Sequence, residues 1–101
     1  MKYLKTFESV KFKKYIIDSD METSNSFYIY EVIKCGRKYV ELKTLYRYYP
    51  LTNRLMKTCY DTEKWPVYEI TDFDNISYQS DNLKDCIDKV RVLATEIKFN
   101  L

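Results

Sequence analysis

The sequence predicts an α+β fold: an antiparallel sheet of about four to six strands with a C-terminal amphipathic α-helix packed on one face. Three observations carry this. Two long β-rich runs flank a turn between residues 26 and 49, apolar residues recur at helical spacing from Leu83 to Ile97, and no repeat, low-complexity tract or Gly/Ser linker interrupts the chain. The 101 residues therefore read as one domain, 1–101, long enough to bury one core.

Taken in order, 3–12 (YLKTFESVKF) fits one or two helical turns or a strand equally well. FKKYIID, 12–18, reads as a strand from its β-branched and aromatic content. The stretch 18–26, DSDMETSNS, reads as a loop because Asp, Ser, Thr and Asn side chains compete for backbone hydrogen bonds. SFYIYEVIK and KYVELKTLYRYY then form a hairpin around CGRK, whose Gly36 is expected to take positive φ without steric cost. Pro50 ends the second strand, since it cannot donate to a ladder. RLMKTCY, 54–60, is a third strand of this sheet, DTEKWP a loop, and VYEITDF and ISYQS two short strands joined at Asp74 and Asn75. Leu83, Cys86, Ile87, Val90, Leu93, Ala94 and Ile97 form the helical stripe, with Ser80 or Asp81 as the expected cap. Asp81 and Asp85 suit the positive end of that helix dipole and Lys98 the other.

Composition narrows the chemistry. With no histidine, the usual general base, the Ser-His-Asp triad and imidazole metal ligation are absent. A single glycine removes phosphate-cradling loops, and the aspartate clusters DSDME and DFDN lack the glycine and terminal glutamate of a calcium loop. Cys35, Cys59 and Cys86 are odd in number and contain no CxxC, so they read as reduced and mostly packed thiols. No cofactor, metal or small-molecule substrate is implied. The apolar runs are short, with nothing near the roughly 18 residues a bilayer span needs, and the N-terminus lacks the continuous apolar stretch of a secretory signal. A soluble cytoplasmic protein is the expectation, in the host cytoplasm if the source is viral.

Net charge is only +2, but residues 1–60 carry a net +6 and residues 61–101 a net −4. A basic face meeting an acidic partner is one consequence of such a dipole. The chain has one Gly and one Ala but 11 Tyr, with abundant Lys, Ile, Asn and Asp, a bias towards A/T-rich codons that fits a phage, viral or A/T-rich bacterial genome.

LYRYYPLTNR, residues 45–54, raises the question of a binding surface. Alternation along a hairpin with a two- or four-residue loop would gather Phe27, Ile29, Glu31, Ile33, Val40, Leu42, Thr44, Tyr46 and Tyr48 on the core face. Tyr28, Tyr30, Val32, Lys34, Tyr39, Glu41, Lys43, Leu45, Arg47 and Tyr49 would then lie on the other face, aromatic and charged together. Seven of these, Tyr28, Tyr30, Lys34, Tyr39, Lys43, Arg47 and Tyr49, are the candidate partner-binding residues. Tyr and Arg are enriched at interface hot spots, although tyrosines alternating with charges also suit any half-exposed strand, through cross-strand aromatic pairs. Trp65 next to Pro66 is read as an anchor of its loop or, if exposed, as a contact anchor.

The expected function is thus a small non-catalytic protein-interaction module, of the kind found among phage or viral inhibitors and adaptors, with a protein partner or a second copy of itself. A single-stranded nucleic-acid binder using the same face is the alternative, opposed by the low net charge and by Glu41 within the patch. A third reading is a metal-dependent nuclease, because Glu41 and Lys43 match an ExK half-motif. The simple pairing puts Glu31, the only acidic residue on the preceding strand, on the opposite face and so opposes it.

Overall fold

A computed structural model describes residues 12–20, 26–67 and 76–100. The strands are β1 (Tyr15–Asp20), β2 (Ser26–Cys35), β3 (Tyr39–Tyr49), β4 (Arg54–Lys57), β5 (Glu63–Pro66) and β6 (Ile76–Ser80), followed by helix α1 (Leu83–Asn100). All pairings are antiparallel, in the order β4-β3-β2-β1-β6. The sixth strand, β5, pairs with the N-terminal part of β3 on the edge whose C-terminal part pairs with β4. This is the α+β architecture expected: six antiparallel strands with one C-terminal helix packed on them.

The residues 63–66, expected as loop, are strand β5. Pro66 is tolerated as the last residue of a short outer strand, where its missing N–H removes no interior ladder bond. Of the strand expected over 67–73, only Val67 is described, and it is not in a strand. The remainder of that segment, the turn at Asp74 and Asn75, most of the 3–12 segment and the centre of the 18–26 loop lie outside the described residues.

The hairpin turn works differently from the expectation as well. Gly36 does not have positive φ. Its value is close approach: its N–H donates to Tyr39 O at 2.8 Å, and a Cβ there would stand 3.3 Å from that same oxygen. Among the described residues the left-handed position is Asn53, φ 52°, in the turn between β3 and β4, a conformation that Asn tolerates better than most residues. Its side-chain Oδ1 accepts the hydroxyl of Tyr48, which gives that otherwise buried phenol its partner.

Helix α1 is capped by Asn82 rather than by Ser80 or Asp81. Asn82 Oδ1 accepts the Lys84 N–H at 2.9 Å, satisfying one of the free donors of the first turn. Ser80 Oγ accepts the Asn82 N–H and donates to Asp85, while Asp81 accepts the Lys14 N–H and so ties the helix start to the segment before β1.

Among the described residues two apolar clusters form, one on each face of the sheet. On the helix face, Ile17, Phe27, Ile29 and Tyr48 pack with Cys86, Val90 and Ala94, joined by Tyr46, Leu83, Ile87 and Leu93. On the opposite face, Ile16, Val40, Leu42 and Val67 are buried, with Phe12, Tyr30, Val32 and Ile76 against them.

The second cluster exists because of a bulge. Phe27, Tyr28 and Ile29 pair with Tyr48, Arg47 and Tyr46, but Tyr30 pairs with Thr44, so Leu45 is an extra residue on β3. A one-residue slip moves every later side chain to the other face. Val40, Leu42 and Thr44 therefore join Tyr30 and Val32, and Tyr39, Glu41 and Lys43 pass to the helix side, opposite to the expected arrangement. A second irregularity, between Val32 and Lys34, sends Lys34 to the helix side too, across from Glu41.

Candidate functional site

The seven candidate residues divide into two groups. Tyr28, Tyr30, Arg47 and Tyr49 share the face opposite the helix, as expected. Lys34, Tyr39 and Lys43 do not: the slips at Leu45 and Ile33 carry them to the helix side, near the hairpin turn. There the charges alternate across strands, with Glu31 opposite Lys43, Lys34 opposite Glu41, and Lys64 Nζ 3.7 Å from Glu41 Oε1. The lysines face carboxylates and do not form a basic patch.

The same slip corrects the argument against the ExK half-motif. Glu31 lies directly across from Lys43 and shares its face with Glu41. Glu41 is paired with Lys64, however, and among the described residues no group of three His, Cys, Asp or Glu side chains is placed to hold a metal ion.

The face opposite the helix is built around aromatic rings. Tyr28 and Tyr30 stack with centroids 6.1 Å apart and planes inclined by 17°. The guanidinium of Arg47 lies 5.2 Å from the Tyr28 ring and 4.8 Å from the Tyr49 ring, and its Nε donates to Ser26 Oγ at 3.1 Å. Ser26 is fully buried, so this arginine is fixed between two rings. It serves the face as structure rather than as a mobile phosphate ligand.

Beside this row opens a cleft of about 490 Å³ lined by Asp18, Ser19, Tyr28, Tyr30, Thr44, Tyr60, Glu63 and Trp65. Each strand supplies part of it for a reason of register. Asp18, Tyr28, Tyr30 and Thr44 arrive through the β1–β2–β3 ladder, in which Asp18 pairs with Tyr28 and Tyr30 with Thr44. Glu63 and Trp65 arrive from β5, as partners of the inward Leu42 and Val40. Tyr60 comes from the segment between β4 and β5. Trp65 and Tyr60 keep 38% and 50% of their surface exposed, so the cleft offers ring surface to a ligand.

The cleft's polar groups are oriented. Trp65 Nε1 donates to Glu63 Oε2 at 3.1 Å, and the Tyr30 hydroxyl reaches Asp18 Oδ2 at 3.5 Å. Burial of Tyr30, then the carboxylate of Asp18, the neighbouring Tyr28 and Glu63, hold its phenol well above the usual tyrosine range. At neutral pH it is therefore protonated and donates to the Asp18 carboxylate. No Lys or Arg is among the cleft's described lining residues.

Six of these residues, Asp18, Ser19, Thr44, Tyr60, Glu63 and Trp65, were not among the sequence candidates. Tyr60, Glu63 and Trp65 lie in or just before a short strand that exists only through pairing with β3, Asp18 and Ser19 are at the edge of what reads as a loop, and Thr44 was expected on the core face. Trp65 alone carried a signal, as a large aromatic beside a proline.

No family model matches the chain, and no curated protein or solved structure matches it either.

Proposed function

We propose that this protein is a non-catalytic interaction module that binds another protein through the aromatic face opposite the helix. The observation that supports it is the open cleft in which Tyr28, Tyr30, Tyr60 and Trp65 gather around one cavity. Aromatic side chains bring large contact area at low conformational cost, and pockets lined by them are typical centres of binding energy. Its volume falls within the 300–1,000 Å³ or so typical of ligand-sized sites. Composition and the missing catalytic residue types favour an adaptor or inhibitor of phage or viral type, acting on a host macromolecule in the cytoplasm.

Single-stranded nucleic acid is the second reading, supported by the stacked pair Tyr28 and Tyr30 as a platform for bases. Asp18 and Glu63 in the cleft oppose it by repelling phosphates.

Affinity capture from the source cell with tagged full chain separates these readings. The protein reading expects specific proteins retained by the wild type and lost in Tyr28→Ala with Trp65→Ala, while Lys34→Ala with Lys43→Ala retains them. Capture unaffected by the cleft variants overturns it. So does oligonucleotide binding that weakens steeply as salt rises, in place of protein capture.

A further inference from the structure

We propose that the cleft between β1, β2, β3 and β5 takes a cationic side chain, arginine or lysine, projecting from the partner protein. This rests on the reading of the face as a protein-binding site and states what enters it. Three features of the cleft agree. Tyr28, Tyr30, Tyr60 and Trp65 line it, and the faces of such rings carry the negative end of the aromatic quadrupole and attract cations. Asp18 and Glu63 are the only charged groups among its described lining residues, and both are anionic. The adjoining part of the same face already holds a cation this way, with the Arg47 guanidinium between the Tyr28 and Tyr49 rings.

The remaining groups fit the same chemistry. Glu63 is held in place by the Trp65 indole N–H, which leaves its carboxylate further acceptor positions for a guanidinium or ammonium. Asp18 is similarly oriented by the Tyr30 hydroxyl. An apolar or anionic side chain would leave the remaining acceptor positions of Glu63 unused, so the site selects by charge as well as by shape.

Trp65 is the only tryptophan in the chain, so its fluorescence reports occupancy directly. The test titrates the full chain with N-acetyl-arginine and N-acetyl-lysine methylamides and with their neutral isosteres, the citrulline and norleucine derivatives. The charged probes should change Trp65 emission saturably with half-saturation of about 1–10 mM, and the neutral ones should bind at least about tenfold more weakly. Asp18→Asn with Glu63→Gln should weaken the charged probes about tenfold and leave the neutral ones unchanged, with the far-ultraviolet dichroism of the variant confirming its fold. Equal response to charged and neutral probes, no saturable response to either, or a folded double variant that binds the charged probes like wild type overturns the proposal. Partner capture that needs Tyr28 and Trp65 but survives Asp18→Asn with Glu63→Gln overturns the cation alone and leaves the interaction face standing; capture indifferent to all four overturns both.

Discussion

Tyr30 stands directly across the β2–β3 ladder from Thr44, whereas Ile29, its neighbour, stands across from Tyr46. The residue left over, Leu45, is what gives this sheet a buried cluster on both faces and what makes the cleft. Without that slip Val40 and Leu42 would point towards the helix, and Tyr30 would share its face with Glu41 and Lys43. With it, Leu42 is buried at 4% exposure on the side away from the helix. Leu42→Ala should accordingly cost about 2–5 kcal/mol, as for a buried leucine. Lys43→Ala, on the exposed row of the helix side, should stay within about 0.5 kcal/mol of wild type. Urea unfolding of both variants measures the difference; equal small losses would show the second cluster to be absent in solution.

The turn after β3 makes a separable prediction. Tyr48 donates to Asn53, and Asn53 holds positive φ. Tyr48→Phe should cost about 1 kcal/mol, by loss of one hydrogen bond at a buried ring. Asn53→Gly keeps the backbone conformation but removes the acceptor, and should cost a similar amount without adding to Tyr48→Phe in the double variant. Asn53→Ala should cost more, because it adds left-handed strain. Additivity between Tyr48→Phe and Asn53→Gly would contradict the contact.

Tyr30 predicts the alkaline behaviour. Its folded-state phenol is raised above the usual tyrosine value, by burial first and by Asp18 next, so the folded protein holds this proton more tightly than the unfolded chain. The associated stability is fully present below the unfolded value near 10 and is lost as pH rises above it. Absorbance titration near the tyrosinate band should show a step above the usual tyrosine range that Tyr30→Phe removes, and that variant should flatten the decline of stability above pH 10. A wild type and Tyr30→Phe with the same alkaline decline would refute this.

The thiols divide two to one. Cys35 and Cys59 are exposed and Cys86 is buried against the sheet, its thiol pushed up to about 11 by burial and by Asp85 beside it. At pH 8, Ellman's reagent should therefore titrate two thiols in the native protein and the third only after unfolding. The expectation of mostly packed cysteines holds for one of the three.

The hairpin, the helix and strands β4 and β6 were legible because each has a strong local signal: alternation, a 3.6-residue stripe or β-branched content bounded by turn residues. Strand β5 was not, since Glu63–Pro66 has no pattern of its own and exists through pairing with β3. The face of residues 39–44 was misread for a different reason. Period-2 alternation identifies the buried set, here Val40 and Leu42, but not which side it points to, and a sheet with apolar clusters on both sides satisfies either choice. The cleft combined both difficulties: three of its eight described lining residues come from β5 and the segment before it, and Thr44 reaches this face only through a bulge without a glycine to mark it.

On the proposed function, a partner protein is met by the face opposite the helix, at the cleft. A photo-crosslinking amino acid, p-benzoylphenylalanine, can replace Tyr60 at the cleft or Tyr39 on the helix side, both exposed tyrosines. Irradiation in the source cell should give a discrete protein adduct from position 60 and none from position 39. An adduct from position 39 alone, or from neither while a wild-type tag still captures the partner, would contradict the claim.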